Sequence, residues 1–373
     1  KRSVIMKKQE YDYLLVGAGL FNAIFAYEAF KDGKKCLVLE KRAHVGGNLH
    51  CENIADIIVH KYGPHIFHTK NKSIWEYMKQ FCEFSNFVYR PLAFYKDELY
   101  NLPFNMNTFY QLWRTKRPKD AIDIISLQRL NLNNPCNFEE QALSLVGADI
   151  YNKLIKGYTE KQWGMDAKDL PAFIIKRLPL RFTFDNNYFN DPYQGIPIEG
   201  YNEIFNKCFQ NSNVILNADF LCNRDIATKA KKVIYTGTID QYYNYCLGQL
   251  EYRSLRFESE LLNIPNYQGN AVINYTDRET PYTRILEHKH FEFNNRSDKT
   301  VITREYPLKW SIGEEPYYPI NTDRNNELYM KYWEKSKEEG NVIFAGRLGA
   351  FSYYDMDQTV DRALSLYQQI KLE

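Results

Sequence analysis

Residues 13–22 read YLLVGAGLFN, a short apolar run followed by two glycines and the start of a second apolar segment. The run is typical of a strand buried in a parallel sheet, and the apolar spacing from Leu20 to Lys31 predicts a helix. Gly17 permits a tight turn, and Gly19 lets the backbone approach a pyrophosphate at the N-terminus of that helix. A second buried run at Cys36–Leu39 completes the pattern. The segment therefore predicts a βαβ unit that binds a dinucleotide.

The third glycine of the usual fingerprint is replaced by Asn22, so the hexapeptide by itself is a weak signal. Glu40 ends the second predicted strand, where an acid can bind the 2′-hydroxyl of an adenosine ribose. The pair Gly46-Gly47 follows, and an acid close before a diglycine resembles the FAD-binding arm of glutathione-reductase-like and amine-oxidase-like flavoproteins. The cofactor expected is FAD, and the residues expected against this arm are Gly17, Gly19, Leu20, Phe21, Glu40, Lys41, Gly47 and Asn48.

Composition excludes several classes of partner. The 373 residues carry 48 Lys and Arg against 46 Asp and Glu, a net charge of +2, so the strong basic field of a nucleic-acid-binding protein is missing. The most apolar stretch, Leu14–Phe30, is interrupted by glycines, Asn22 and Glu28 and is too short for a membrane span. We expect neither a nucleic-acid partner nor a membrane-spanning segment.

The seven cysteines are scattered and include no C-x-x-C pair, which argues against a disulfide framework and a thiolate zinc site. The sequence therefore predicts a protein of the reducing cytoplasm. His65 with His68, and His288 with His290, have no evident third ligand, so we predict no metal.

Other patterns outline the rest of the chain. Residues 87–100 suggest a hairpin around Lys96-Asp97, and helical signals dominate 101–176. Four segments are rich in β-branched and aromatic residues, and they predict a mostly antiparallel sheet. These segments are Arg181–Tyr188, Val272–Ile273, Thr283–Leu286 and Thr300–Thr303. A buried strand is expected near Val342, and a terminal helix over residues 357–371.

Six further segments are too particular for a general dinucleotide fold. They are HKYGPHIFHT (60–69), LPFN (102–105), GYTEKQWG (157–164), residues 171–177, residues 182–189 and YYDM (353–356). Together they resemble the UDP-galactopyranose mutases, and the resemblance extends from Tyr11 to the last helix. Asn22 and Pro64 depart from the usual pattern of that family. Pro64 falls in the loop expected near the flavin, so it bears most on substrate selectivity.

The resemblance implies an α/β architecture of three parts. A Rossmann-like FAD-binding αβα domain would be assembled from residues 8–85, 195–245 and 340–373. A helical domain that forms a lid over the substrate would be inserted as residues 101–178, and an antiparallel β-sheet domain would comprise residues 86–100, 179–194 and 246–339. The resemblance also implies a homodimer.

The activity implied is that of an isomerase that interconverts UDP-galactopyranose and UDP-galactofuranose with no net redox change. N5 of reduced FAD would attack the anomeric carbon, UDP would leave, and the sugar would pass through a flavin iminium before the smaller ring closes. Members of the family differ on whether UDP-N-acetylgalactosamine is accepted as well, and the sequence leaves this open.

The resemblance also implies which residues act. The departing diphosphate needs fixed positive charge, which guanidinium groups supply in a fork that matches phosphate oxygens. The expected catalytic residues are Arg177 and Arg284 at the diphosphate and His65 against the flavin. The other residues expected to bind substrate are Tyr158, Thr159, Trp163, Tyr188, Asn274, Tyr317, Arg347, Tyr353 and Asp355. Those expected at the flavin end of the cofactor are His65, Arg347, Asp355 and Met356.

Two rival interpretations remain open at this point. The FAD arm alone fits an FAD-dependent oxidoreductase of the amine-oxidase or glutathione-reductase-like type that acts on another substrate. A non-catalytic protein that binds sugar nucleotides and keeps flavin as a structural group is the second. Redox dependence separates the isomerase from the oxidoreductase, since only the oxidoreductase consumes electrons with each turnover.

Overall fold

The computed structural model describes residues 9–175 and 179–372. The strands in these residues are β1 (Tyr11–Val16), β2 (Cys36–Leu39), β3 (Cys51–Ile54), β4 (Ile57–His60), β5 (Phe67–Thr69), β6 (Leu92–Tyr95), β7 (Glu98–Asn101), β8 (Tyr193–Gly195), β9 (Asn213–Ile215), β10 (Ala230–Tyr235), β11 (Tyr252–Leu262), β12 (Val272–Tyr275), β13 (Arg284–Glu287), β14 (Thr300–Lys309), β15 (Tyr318–Pro319) and β16 (Val342–Phe344). The α-helices are α1 (Leu20–Lys31), α2 (Lys72–Lys79), α3 (Met106–Trp113), α4 (Pro118–Gln128), α5 (Phe138–Val146), α6 (Ala148–Ile150), α7 (Gly157–Trp163), α8 (Asn202–Phe209), α9 (Ile239–Tyr242), α10 (Asp323–Ser336), α11 (Gly346–Gly349) and α12 (Met356–Leu372).

A parallel five-stranded sheet is built in the order β16-β10-β1-β2-β9. Successive side chains of β1 alternate between its faces, so Leu15 packs with α1 and α12 while Leu14 packs with Tyr235 and Phe344 on the other side. The predicted βαβ unit is confirmed, because α1 and β2 occupy the expected residues. The α/β, Rossmann-like fold class is confirmed with it.

Asn22 has a structural role in this unit. Its side chain is buried, and its amide donates hydrogen bonds to the carbonyl oxygens of Val16 (3.0 Å) and Gly17 (2.8 Å). The amide therefore ties α1 to the end of β1 and to the turn that follows. The departure from glycine at this position stabilises the turn by side-chain hydrogen bonds.

A second sheet of seven strands has the order β15-β11-β14-β13-β12-β6-β7. All of its pairs are antiparallel except β12 with β6, as the mostly antiparallel prediction requires. The predicted hairpin is β6 and β7, which turn at Lys96-Asp97. Two small sheets, β3-β4 and β5-β8, complete the strand pairing over the described residues.

The strand predicted over Arg181–Tyr188 is wrong. This segment forms no ladder; instead it makes isolated backbone bonds to the helical region, from Arg181 N–H to the Phe104 carbonyl (2.9 Å) and from Met106 N–H to the Thr183 carbonyl (3.0 Å). The Tyr188 N–H donates to the Tyr89 carbonyl (2.8 Å), so the segment bonds to scattered partners and not to one neighbouring strand.

Helices dominate the part of the chain between β7 and β8. α3, α4 and α5 bury a separate core that includes Phe109, Ile125 and Phe138. Asn137 caps α5 by accepting from the Glu140 N–H. A π-helical stretch over Tyr151–Lys156 joins α6 to α7. The boundaries proposed for the three domains stay a prediction.

Over the described residues, no helix is both long and apolar enough to cross a bilayer. The predicted terminal helix is present as α12, and the buried strand near Val342 is β16.

Candidate active site

One large cavity of about 870 Å³ lies where the two sheets approach each other. The carboxyl ends of β1, β2, β10 and β16 open onto it from the parallel sheet, and β12 and β13 contribute from the second sheet. β1 and β10 are neighbours whose chains continue in opposite directions across the sheet, which is the topological switch point where α/β sheets bind ligands.

The glycines of the fingerprint shape one wall of the cavity. Gly17 has a φ of +95°, and a Cβ there would lie 2.5 Å from Oγ1 of Thr236. Gly19 has open space where its Cβ would be, and a Cβ on Gly47 would lie 3.2 Å from the Cα of Gly19. The diglycine arm and the β1–α1 turn therefore meet backbone to backbone. The first turn of α1 has no side-chain cap and no acidic residue, so its N–H groups remain available to an anion.

Glu40 connects this wall to the next. Its carboxylate is buried and accepts from the N–H of Ala18 (2.7 Å) and of Arg42 (2.9 Å). Arg42 in turn lies over the ring of Tyr62, 4.5 Å from its centroid, and donates to Oδ1 of Asn48 (3.1 Å). The acid therefore fixes the turn and the strand end while it lines the cavity.

Arg42 also has an unused donor. Its second terminal nitrogen, Nη1, is buried and has no hydrogen-bond partner among residues 9–175 and 179–372. Nη2 contacts Glu315 (3.2 Å), which also pairs with Lys41 (2.7 Å). Burial of Glu315 opposes its ionisation, but the charges of Lys41 and Arg42 prevail and lower its pKa. An orphan guanidinium N–H at the cavity wall is suited to an acceptor on a bound ligand.

Arg284 supplies fixed positive charge on the opposite wall. It projects from β13 and is held by Glu305 of β14, with Nε and Nη2 both donating to Oε2 at 2.8 and 2.7 Å. Burial alone would lower the pKa of Arg284, but the Glu305 carboxylate reverses this and holds it well above its ordinary value. The guanidinium is charged at any physiological pH and cannot rotate freely.

Tyrosines surround this arginine. Tyr89, Tyr158, Tyr188, Tyr318 and Tyr353 line the same part of the cavity. Burial raises the pKa of Tyr158 to about 12, even though the Arg284 charge acts in the opposite direction. These phenols therefore keep their protons and can donate hydrogen bonds to phosphate or sugar oxygens.

His65 lines the same cavity. The backbone N–H of His65 donates to Nδ1 of His60 (3.2 Å), and its backbone carbonyl accepts from the hydroxyl of Tyr201 (2.9 Å). Burial, with further contributions from His60 and Arg347, holds the pKa of His65 down to about 3. The imidazole is neutral at neutral pH.

Most of the predicted site residues are brought together here. The cavity is lined by every residue expected at the cofactor, namely Gly17, Gly19, Leu20, Phe21, Glu40, Lys41, Gly47, Asn48, His65, Arg347, Asp355 and Met356. It is also lined by most of those expected at the substrate, namely Tyr158, Tyr188, Asn274, Arg284, Tyr317, Arg347, Tyr353 and Asp355. Pro64, the unusual loop residue, is part of the wall as well.

Two of the predicted residues that the structure describes do not line the cavity, and the position of a third cannot be compared. Arg177 lies outside the described residues. Thr159 is buried away from the cavity, and Trp163 packs against the core of the helical region. Arg253 explains the position of Trp163, because its guanidinium lies 5.8 Å from the ring centroid and donates to the Gln162 carbonyl. Trp163 therefore helps to attach the end of α7 to the second sheet.

Sequence reasoning missed other parts of the wall. Arg42, Tyr62, Tyr89, Thr236 and Tyr318 all line the cavity. Thr236 directly follows β10, and its place after a buried apolar run is the signal that could have indicated a strand end at the site. That the protein binds no metal stays a prediction. Within residues 9–175 and 179–372, no group of three His, Cys, Asp or Glu side chains is placed to hold an ion.

Comparisons with known proteins agree with this geometry. A family model described as UDP-galactopyranose mutase matches residues 153–353, and one described as NAD(P)-binding Rossmann-like domain matches residues 15–81. The probable UDP-galactopyranose mutase of Klebsiella pneumoniae is 38% identical over 94% of this chain and 92% of its own. The dTDP-fucopyranose mutase of Escherichia coli is 36% identical over 95% of this chain and 97% of its own.

Solved structures show the same fold. A crystal structure of reduced UDP-galactopyranose mutase aligns with a TM-score of 0.74 at 13% identity, covering 96% of this chain and 93% of the other. A putative protoporphyrinogen oxidase from Exiguobacterium aligns with a TM-score of 0.65 at 13% identity, covering 98% and 100%. At such identities the likeness concerns the fold alone, whereas the family model and the relatives concern the family. The chain therefore belongs to the UDP-galactopyranose mutase family of isomerases, as its motifs predict.

Proposed function

We propose that this protein interconverts UDP-galactopyranose and UDP-galactofuranose and that it uses bound, reduced FAD to do so. The observation that carries the proposal is the continuity of one cavity, which joins a glycine-lined dinucleotide wall to an arginine surrounded by tyrosine hydroxyls. A cofactor and a nucleotide sugar can therefore meet at His65 without leaving the protein.

The residues present fit FAD. Gly17, Gly19 and Gly47 form a backbone cradle that a side chain would obstruct, and the first turn of α1 offers free N–H groups for the pyrophosphate. Glu40 has lone pairs left for a ribose hydroxyl, and Nη1 of Arg42 is a buried donor in need of an acceptor. When bound and reduced, the flavin supplies a nucleophilic nitrogen for the anomeric carbon.

The protein's own residues then have three tasks. Arg284, held by Glu305, stabilises the charge that develops on the departing diphosphate, and Arg177 is proposed to assist it. Tyr158 offers its ring to the base, while the hydroxyls of Tyr188 and Tyr353 donate to phosphate or sugar oxygens. The neutral His65 shapes the middle of the cavity and adds no charge that would compete with the arginines.

A second substrate has a specific observation in its favour. The Escherichia coli relative named a dTDP-fucopyranose mutase matches this chain about as closely as the Klebsiella pneumoniae relative does. A dTDP-fucose differs from UDP-galactose by a 5-methyl group on the base and by the lack of two hydroxyls, one on the ribose and one on the sugar. Initial rates on UDP-galactopyranose, dTDP-fucopyranose and UDP-N-acetylgalactosamine, compared as kcat/KM, identify the substrate.

The test of the function is a redox comparison. Purified protein is incubated with UDP-galactopyranose, once as isolated and once after dithionite reduction under argon, and the products are separated by anion-exchange chromatography. We expect a yellow protein that releases FAD on denaturation and forms the furanose only after reduction. A colourless protein that refuses added flavin, or equal rates in both samples, would overturn the proposal.

Two further properties are part of the proposal. We propose a homodimer, to be measured by light scattering coupled to gel filtration. We also propose a cytoplasmic location, which is supported by the seven cysteines being free thiols and four of them being buried.

A further inference from the structure

The residues that flank the diphosphate site are joined by one connection. Asn274 is on β12 and Arg284 is on β13, and both line the cavity. Residues 276–283 connect these two strands, and α7, which carries Tyr158, is packed directly against that connection. The Tyr158 side chain and the Arg284 guanidinium, which share one part of the cavity, are therefore coupled through a contact that itself lies outside the cavity.

We propose that Gly157, Lys161 and Thr276 are positioning residues that fix the separation between the Tyr158 ring and the Arg284 guanidinium, and so match the cavity to the span of a nucleoside diphosphate. The inference rests on the proposed function, because it assigns the base to Tyr158 and the diphosphate to Arg284. None of the three residues lines the cavity.

Gly157 makes the approach of α7 possible. It is buried, and a Cβ there would lie 2.5 Å from the Thr276 carbonyl oxygen, 2.8 Å from the Arg278 nitrogen and 2.9 Å from the Asp277 carbonyl carbon. Its φ of −64° and ψ of −34° are ordinary helical values that any residue adopts. Glycine is therefore required here by proximity alone, since a side chain would push the helix away from the connection.

Thr276 anchors the helix from the other side. Its side chain is buried, and its hydroxyl donates to the carbonyl of Lys153 at 2.6 Å, inside the π-helical stretch that precedes α7. The Thr276 N–H is used separately, by the Phe94 carbonyl of β6 at 2.8 Å. One residue therefore links the second sheet to the helix that carries Tyr158. π-Helical turns are often found at functional sites, where they adjust the direction of the next side chain.

Lys161 holds both ends of the connection. Its ammonium donates to the carbonyl of Tyr275 at 2.7 Å and to that of Tyr282 at 2.9 Å. Tyr275 follows Asn274 directly, and Tyr282 lies two residues before Arg284, so the lysine fixes the backbone next to both cavity residues. Burial lowers the pKa of Lys161 to about 8, against the charges of Asp277 and Glu279, which is consistent with a desolvated ammonium that relies on these carbonyls.

The consequence for binding concerns ligands that span both ends. If the connection moves relative to α7, Tyr158 and Arg284 both stay in the cavity, but the distance between the Tyr158 ring and the Arg284 guanidinium changes. A guanidinium that no longer reaches a phosphate oxygen loses a charge-assisted hydrogen bond, which weakens binding on the order of 10- to 100-fold. A ligand that contacts Tyr158 but does not reach Arg284 should bind with unchanged affinity.

The test compares uridine with UDP on the holoprotein. Kd values are measured by ligand-observed NMR for uridine and by calorimetry for UDP, in the unmodified protein and in the variants Thr276→Val, Thr276→Ser and Lys161→Met. We expect Thr276→Val and Lys161→Met to raise the Kd for UDP about 10- to 100-fold and the Kd for uridine less than twofold. Both variants should retain their FAD. Thr276→Ser, which keeps the hydroxyl, should behave as the unmodified protein does.

Several outcomes would overturn the inference. These are equal weakening of uridine and UDP, no weakening of UDP, or a Thr276→Ser variant that behaves as Thr276→Val does, since each points to a role in stability alone. Failure of the unmodified protein to bind UDP would instead remove the proposed function, and the inference with it. Gly157→Ala provides an independent check, because its added methyl must separate α7 from the connection and should weaken UDP selectively.

Discussion

Replacing Arg284 by methionine should damage catalysis and stability by separate routes. In catalysis, the variant loses a fixed positive charge beside the proposed position of the diphosphate, and such losses typically reduce kcat about 100- to 1,000-fold, or about 3–4 kcal/mol. In stability, it leaves the Glu305 carboxylate unpaired at 5% side-chain exposure. An isolated buried charge of this kind costs about 3–5 kcal/mol of unfolding free energy.

The double variant Arg284→Met/Glu305→Gln separates the two effects. Removing the unpaired charge should recover most of the lost stability, measured by urea unfolding, while kcat of the dithionite-reduced enzyme stays low. The control is Arg304→Met, which breaks an exposed pair with Glu260 on the same sheet and should change unfolding by less than about 1 kcal/mol. Recovery of activity in the double variant would refute the reasoning, because it would mean that the single variant failed only by unfolding.

Three other predictions concern the cofactor wall and its support. Gly17→Ala should lower the FAD content of the purified protein by tenfold or more, since the added Cβ would lie 2.5 Å from Oγ1 of Thr236. The FAD content is measured from the ratio of flavin to protein absorbance. The control is Gly33→Ala, at a turn with open space, which should retain FAD. Asn22→Ala should reduce the unfolding free energy by about 1–3 kcal/mol in urea through loss of two buried hydrogen bonds, and a change below the error of the method would contradict this role. His60, whose pKa burial lowers to about 4 from 6.5, cannot take up a proton in the folded state that the unfolded chain accepts. His60 alone should therefore lower the free energy of unfolding by about 1.4 kcal/mol per unit as pH drops from 6 to 4, in addition to the contribution of the buried His65. His60→Asn should remove that part of the slope and leave the rest.

The dinucleotide wall could be predicted because its information is local. The spacing of Gly17, Gly19 and Glu40 reflects steric and hydrogen-bonding needs that lie within one βαβ unit, and α1 forms over the predicted residues for the same reason. Arg284 could not be derived this way. Its placement depends on pairing with Glu305 across β13 and β14, so only the family resemblance pointed to it.

The misses have physical causes as well. Residues 181–188 have the composition of a strand, but composition does not specify a hydrogen-bonding partner, and this segment finds its partners in the helical region. Trp163 lies on the predicted segment but faces its own core, since the helix direction decides which side chains reach the cavity. Thr236 escaped notice because one sequence does not reveal that β10 lies next to β1.

Electron counting during turnover tests most directly whether this protein is an isomerase that works through a reduced cofactor. Holoprotein is reduced anaerobically with one equivalent of dithionite, excess reductant is removed, and furanose is quantified against the flavin spectrum as UDP-galactopyranose is added. The isomerase mechanism predicts many furanose molecules per flavin, with the reduced spectrum unchanged. Product that stops at one equivalent, together with reoxidation of the flavin, would contradict it.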